Sequence, residues 1–457
     1  MDKILQYLKE NRDRFLQELC TYLEFESISA QPQHDKDVRR CAEWIAAHCK
    51  DLGMKAEIAP TKGHPVVIAQ TPRTRSSKHK PHYIVYGHYD VQPPDPLELW
   101  NSPPFKPKIE NNRIYARGVS DNKGQHFAHL KAVEAYLRTG TELPCNLTFI
   151  IEGEEEVGSK HLTDFLKTNQ KRLACDGAVV SDSGMPSLNS PALTYGLRGV
   201  AAMEILLTGP NRDLHSGIYG GSVENPAAVL CRMLANLHRK NGKIAVTGFY
   251  DDVLPLSRKE RSEIKKWPYR EEAYRKSVGV PALFGESGYS PNEQRSARPT
   301  LEINGLTSGY QGEGSKTIVP SWASAKLTLR LVPDQKPKRI LQAVKKQLKT
   351  LCPPTVKMKI TEGHYGEAYL FPLDDPRTEA ALQALKFGFG KDPILLREGG
   401  SIPIVNDFKK ILGVDTLLLG LALPDDNLHS PNEKFDIRCF ERGMKMSAFL
   451  WQKLAQN

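Results

Sequence analysis

Eight cysteines lie scattered between Cys20 and Cys439, and no two of them form a C-x-x-C pair. In a chain of 457 residues that pattern argues against a disulfide framework and for reduced core thiols, hence a cytosolic location. Long apolar runs are missing too. The longest, T-L-L-L-G-L-A-L-P from Thr416 to Pro424, is far too short to span a bilayer. No signal peptide opens the sequence: the first residues are charged throughout and have the period of an amphipathic helix, with Ile4, Leu5, Leu8, Phe15 and Leu19 roughly on one side. The formal charge is +10, yet the basic residues are not gathered into a nucleic-acid-binding module. The densest segments, Pro72 to Pro81 and Ser257 to Lys266, read as a solvated surface whose field could steer an anionic ligand. No H-E-x-x-H or G-x-S-x-G occurs, which leaves single-zinc peptidases and serine hydrolases unsupported. The stretch G-Y-Q-G-E-G-S-K (Gly309 to Lys316) lacks the G-K-[ST] order of a phosphate loop, and no helix is expected after it. Internal repeats and low-complexity tracts are absent.

What remains is an ordinary globular composition, 40% hydrophobic and 25% charged. A helix is expected over Asp35 to Leu52. Strands are expected at Ala56–Ala59, Val66–Ala69, Tyr83–Tyr86, Leu147–Ile151 and Ala178–Val180, with a helix at Lys123 to Arg138 between the third and fourth. Unbroken apolar strands alternating with helices predict an α/β fold, a mixed and mostly parallel sheet covered on both faces. From about Gly196 the order becomes βαββαβ, the ferredoxin-like split. The α/β texture returns after about residue 365, with a helix at Thr378–Phe387, a strand at Thr416–Leu419 and a closing helix at Phe440–Ala455. The expected division is therefore a larger domain of residues 1–195 and 366–457, interrupted by an α+β domain of residues 196–365. Gly248 to Pro299, rich in charge, Pro and Ser, reads as an elaboration of that insert.

The informative residues stand where apolar strands end. H-Y-I-V-Y-G-H-Y-D-V-Q-P-P, from His82, delivers His88 and Asp90 two apart, on one side of an extended chain. A carboxylate there can orient an imidazole that ligates a metal. Taken singly, each further acid has an ordinary reading. In R-G-V-S-D-N-K-G, Asp121 could cap a helix; in F-I-I-E-G-E-E-E-V-G-S, Glu154 to Glu156 could be a solvated first turn; in V-V-S-D-S-G, Asp182 could sit in a turn. Taken together they crowd the edge at which α/β sheets bind ligands. His88, Asp121, Glu155, Glu156 and Asp182 in one place repel unless a cation compensates, and four carboxylates with an imidazole exceed the needs of one zinc. His429, in L-P-D-D-N-L-H-S-P-N-E, is a candidate for a further ligand. His126 and His129 share a helix face but follow the site by a turn or more, and read as structural.

These motifs, with D-L-H-S-G-I-Y-G-G and R-E-G-G-S-I-P, occur in order from about residue 80 to 435 and resemble the co-catalytic metallodipeptidases of the cytosolic nonspecific dipeptidase and carnosinase type, within the aminoacylase and carboxypeptidase superfamily. The resemblance implies a zinc-peptidase-like catalytic domain with an inserted lid and dimerisation domain. It implies two divalent ions per subunit, zinc above all, with manganese or cobalt also compatible. His88 and Asp182 would hold one ion, Glu156 and His429 the other, and Asp121 would bridge them. Asp90 would support His88, and Glu155 would be the general base. His215 would reach the partner subunit's site and stabilise the oxyanion, while Thr317, Arg330 and Ser401 would grip the substrate's terminal carboxylate. Asp at 182 resembles the dipeptidase branch. The expected activity is hydrolysis of dipeptides with a free carboxylate, by a cytoplasmic homodimer without nucleic-acid or membrane partners. The alternatives are an N-acyl-amino-acid deacylase or carboxypeptidase of the same superfamily and a noncatalytic metal or peptide binder.

Overall fold

The computed structural model describes residues 1–73, 79–400 and 402–456. Ser401 and part of the basic segment Pro72 to Pro81 lie outside the described residues.

Nine strands form the larger sheet. Its centre is parallel: Asn146–Glu152, His82–His88, Gly177–Val180 and Thr416–Leu418 lie side by side in that order. The flanks are antiparallel. Lys55–Ala59 and Val66–Gln70 close one edge, and Ala192–Leu197 with Tyr369–Leu370 the other, while Ile394–Glu398 runs parallel to Ala192–Leu197. Strands His82–His88, Asn146–Glu152, Gly177–Val180 and Ala192–Leu197 are buried at almost every position, so side chains on both faces are covered. That explains their unbroken apolar sequences. The helices Asp35–Asp51, Gly124–Arg138, Pro376–Phe389 and Ile437–Leu454 supply buried faces to the same core.

The second core belongs to a four-stranded antiparallel sheet in the order Thr300–Ser308, Trp322–Leu331, Gly199–Thr208, Lys357–Gly366. With helices Pro226–Ala235 and Pro337–Leu351 it makes the ferredoxin-like order. The amphipathic start of the chain is two helices, Asp2–Glu10 and Arg12–Leu23, in which Leu16 is buried with Ile4, Leu8, Phe15 and Leu19 whereas Leu5 is only half-buried. No helix among the described residues is long and apolar enough to cross a membrane.

The Gly248–Pro299 segment differs from the expectation of a mere extension of the insert. Phe249 packs into the smaller core, but Ile264, Trp267 and Ala297 join the core of the larger sheet. Helices Arg258–Lys265, Glu271–Val278 and Pro291–Ala297 occur there. Trp267 donates its indole N–H to the Leu395 carbonyl at 2.7 Å, and Glu260 pairs with Arg397 at 3.1 Å. Sparse apolar residues in a charged segment anchor it to a strand that the sequence does not mark as its neighbour.

Candidate metal centre

Strand register builds the site. His82–His88 pairs with Asn146–Glu152 so that His88 is opposite Glu152, and with Gly177–Val180 so that Tyr86 is opposite Val180. Two residues beyond that last pair, His88 and Asp182 emerge together, with Glu155 and Glu156 in the short turn after Glu152. Asp121 arrives differently from the expectation of four strand ends in one sheet. It comes from a small separate sheet, Lys108–Glu110 with Arg113–Tyr115 and Lys434–Asp436, through a turn leading into the helix Gly124–Arg138. Gly118 opens that turn at φ +81°, where a Cβ would also meet Val91 at 2.3 Å.

Two groups of ligand atoms share one carboxylate. His88, Asp121 and Asp182 form the first, Asp121, Glu156 and His429 the second, and within each group the ligand atoms lie within 4.8 Å of one another. His88 Nε2 is 3.1 Å from Asp121 Oδ1 and 3.7 Å from Asp182 Oδ1. His429 Nε2 is 2.9 Å from Asp121 Oδ2 and 3.3 Å from Glu156 Oε2. The other ring nitrogen of His88 lies 3.0 Å from the Asp90 carbonyl oxygen and 3.4 Å from its carboxylate. That tautomer turns Nε2 towards the two aspartates.

Asp90 has a second task that the sequence does not reveal. Its buried carboxylate accepts the backbone N–H groups of Glu155 (3.2 Å) and Glu156 (3.1 Å) and the Ser29 hydroxyl (2.6 Å). One side chain therefore orients a histidine of one group and the turn carrying a glutamate of the other. Asn122 donates to Asp182 Oδ1 at 2.8 Å, and Gln92 to Glu156 Oε2 at 2.8 Å. Glu433, fully buried, accepts from Arg117 (2.8 Å) and from the backbone N–H of Gly118, Ser120 and Asp121 at 2.8 to 3.1 Å, so it clasps the loop of the shared aspartate. The third glutamate of the run points elsewhere: Glu154 pairs with His161 at 2.8 Å.

The electrostatics fit divalent cations. Burial raises the carboxyl pKa values of Glu156 and Asp182 and holds Glu155 well above the usual carboxylate range, with Asp182, Glu156 and Asp121 adding to it. Burial acts against the charged form of His88, but Asp182, Asp121 and Asp90 hold its pKa well above the ordinary value. Hydrogen bonds to Asp121 and Glu156 push His429 up to about 10. Carboxyls that retain protons beside imidazoles that take them up are what repelling acids do without a cation. All-O and N donors at these separations suit two divalent ions sharing Asp121. Another acidic group, Glu18, His48 and Glu134, is no such site: the Lys131 ammonium stands 2.5, 2.8 and 2.7 Å from the three, as an internal counterion.

Among the other expected residues, His126 and His129 are buried and hydrogen-bonded, His126 to Tyr22 and Asn122, His129 to Ser181 and Ser447. His215 is exposed on a two-stranded ribbon, Leu214–His215 with Ile318–Val319, beside Thr317. Neither lines the cleft of about 1080 Å³ that runs from Asp121 and Asp182 past Glu398 and Arg198 to Trp267 and Arg295. Arg330 is half-buried, close enough to Arg198 to lower its pKa along with burial. Glu398, whose carboxyl burial raises to about 7, accepts the Gly184 N–H at 3.0 Å. Sequence reasoning passed over Glu398, Arg198, Glu433 and Asn122, although each stands within three residues of a residue or motif it singled out.

The chain has well-matched relatives among known proteins. The family model described as peptidase family M20/M25/M40 matches residues 84–453. The chain is 31% identical to the Cys-Gly metallodipeptidase of Saccharomyces cerevisiae, over 98% of this chain and 97% of the relative. It is 30% identical to the human Beta-Ala-His dipeptidase over 100% and 93%. Among solved structures, human carnosine dipeptidase 1 superimposes with a TM-score of 0.86 at 29% identity, covering 100% of this chain and 99% of that one. A metallo-carboxypeptidase of the M20 family from Sulfolobus solfataricus gives 0.86 at 32% identity, covering 97% and 99%.

Proposed function

The chain belongs to peptidase family M20/M25/M40, and on that premise we propose that it is a dinuclear metal-dependent dipeptidase acting on dipeptides with a free carboxylate. The observation that carries the reading is the sharing of Asp121 between two ligand groups, with Glu155 beside both and in neither. His88 and Asp182 would hold one ion, Glu156 and His429 the other, and zinc suits the mixed N/O donors, as manganese or cobalt would. Such ions, when bound, acidify water and polarise the scissile carbonyl. Glu155 accepts the proton from the attacking water and passes it to the leaving amine, a task open to it because it stands beside both ligand groups and belongs to neither.

His215 accepts the Gly217 N–H on Nδ1 at 3.0 Å, so its Nε2 carries the proton and can donate to an oxyanion. Its place on an exposed ribbon away from the cleft lining supports delivery to the site of a second subunit, with Thr317 beside it; Arg330 and Ser401 complete the grip on the substrate carboxylate. Exposed Ile303, Leu306 and Trp322 on the inserted sheet support a homodimer through residues 196–365, with 1–195 and 366–457 as the catalytic domain. Eight unpaired cysteines favour a reducing, cytosolic setting.

The test is hydrolysis of a dipeptide panel beside N-acetyl amino acids by protein stripped with chelator and refilled with Zn²⁺ or Mn²⁺. Metal-dependent release from free dipeptides only, lost in Glu155→Gln while the bound metal stays, is expected. Preference for the acylated set would move the reading to a deacylase. Light scattering decides the dimer.

A further inference from the structure

One wall of the cleft that holds Asp121 and Asp182 is supplied by the Gly248–Pro299 segment, and its chemistry is unlike that of the floor. Trp267, Tyr269, Arg270, Tyr274 and Arg295 line it, and Arg198 stands beside them. Three guanidiniums face one cleft, and among the described residues none of Arg198, Arg270 and Arg295 forms an ion pair. Several acids of the neighbourhood are engaged elsewhere. Glu286 is held by Arg298 at 2.7 Å, Glu293 by Arg261 at 2.9 Å, Glu260 by Arg397 at 3.1 Å, and Glu272 by Lys276 at 2.9 Å. Glu398, the acid of the floor, takes its hydrogen bond from Gly184; the Arg295 charge acts against the burial that raises its pKa, without forming an ion pair with it. Arg198 spends two N–H groups on the carbonyls of Gly399 and Arg298, at 3.3 and 3.2 Å, and Arg295 lies over the Tyr274 ring at 5.6 Å.

A second observation points to a ligand at the same place. The Tyr269 side chain is half-buried, and its hydroxyl, covered by protein, has no hydrogen-bond partner among the described residues. A buried donor is rarely left unpaired, and this one shares the cleft lining with Arg295; burial, then Glu271 and Tyr274, raise its pKa, and Arg295 acts against them. A hydroxyl donor beside unpaired guanidiniums is complementary to a carboxylate, which accepts from both. The formal charge of +10 favours the approach of the same anion.

Resting on the dipeptidase reading, we infer that Tyr269 and Arg295, with Arg270 and Arg198 in the same lining, form a subsite for an anionic side chain, so that the preferred dipeptides carry aspartate or glutamate. Cleavage removes charge from neither residue of such a substrate. The wall contributes binding, not chemistry, and the preference resides in KM.

The experiment compares kcat/KM of the metal-refilled enzyme on isosteric pairs, Glu-Gly with Gln-Gly and Gly-Glu with Gly-Gln, at low ionic strength. The acidic member of at least one pair is expected to be better by about tenfold, the size of one hydrogen bond to a charged group, through a lower KM. Arg295→Gln combined with Tyr269→Phe brings the ratio close to one, and Arg295→Lys keeps most of it. Ratios below two in both pairs, or a preference that survives the double variant, overturn the subsite. Turnover of Gln-Gly or Gly-Gln upholds the dipeptidase reading whatever the ratio. If none of the four peptides is cleaved, that reading falls, and equilibrium dialysis of the same peptides against metal-loaded protein decides the subsite: tighter binding of the acidic members supports it, and equal Kd values refute it.

Discussion

Replacing Asp90 with asparagine tests whether one buried carboxylate organises both halves of the metal centre. The substitution hardly changes shape, so its effects are electrostatic. In the native protein the carboxylate, without solvent exposure, faces four donors: Ser29 Oγ at 2.6 Å, the N–H groups of Glu155 and Glu156 at 3.2 and 3.1 Å, and His88 Nδ1 at 3.4 Å. An asparagine offers one oxygen, and its NH₂ must then oppose at least one of those donors. A buried donor left unsatisfied costs about 1–3 kcal/mol, and loss of a group that orients a metal ligand lowers affinity by about 10–100-fold. Because the same carboxylate steers His88 and the turn of Glu156, both ions should be bound more weakly. Titration calorimetry of the stripped protein with Zn²⁺ reads this directly, with circular dichroism as the check on folding. Ser29→Ala, which removes one of the four donors, should cost only about 1 kcal/mol of stability and spare metal affinity. Wild-type affinity in a folded Asp90→Asn protein would refute the reasoning. So would a Ser29→Ala protein as impaired as Asp90→Asn, since packing would then explain both.

Glu433→Ala should destabilise the protein by about 3–5 kcal/mol, because buried Arg117 loses its partner and three backbone donors around Asp121 lose their acceptor; chemical denaturation measures it, and a loss below 1 kcal/mol would mean that water or a neighbour substitutes. Burial lowers the His129 pKa from 6.5 to about 4, so the unfolded chain takes up the proton first and stability falls as pH drops from 6.5 towards 4, by about 1.4 kcal/mol per unit. Between pH 7 and pH 5 the wild type should therefore lose about 2 kcal/mol more than His129→Gln, and equal losses would contradict a neutral buried ring. Chelation should lower the melting temperature and refilling restore it, since each bound ion stabilises the fold by about 4 kcal/mol at a thousandfold excess over Kd; a melting temperature indifferent to chelator would contradict a repelling acid cluster.

Much of the site was legible because it is written in short segments at strand ends. His88 and Asp90, the Glu155–Glu156 pair and Asp182 each follow an apolar run, and parallel pairing of three adjacent strands is enough to bring them together. The ferredoxin-like order of the second sheet could also be read, because its strands alternate buried and exposed residues and its helices keep their period. The Gly248–Pro299 segment could not. Its anchors, Ile264, Trp267 and Ala297, are too few for a periodic signal, and their partner is a strand about 130 residues away. The antiparallel flanks of the large sheet were equally unmarked, since a short buried strand carries no sign of its direction.

By itself, then, the sequence determined which acids and imidazoles exist, the strands that present them and the family to which they belong, because these depend on local pattern. Tertiary structure alone decided the rest: that Asp121 reaches the centre from a separate small sheet, that Asp90 grips the turn of Glu155 and Glu156, that Lys131 occupies the other acidic cluster, and that, among the described residues, Arg295 lines the cleft without an ion pair and Tyr269 without a hydrogen bond. The physical reason is that a side chain's task depends on which donors and acceptors are left over once distant segments pack, and that remainder is not a local quantity.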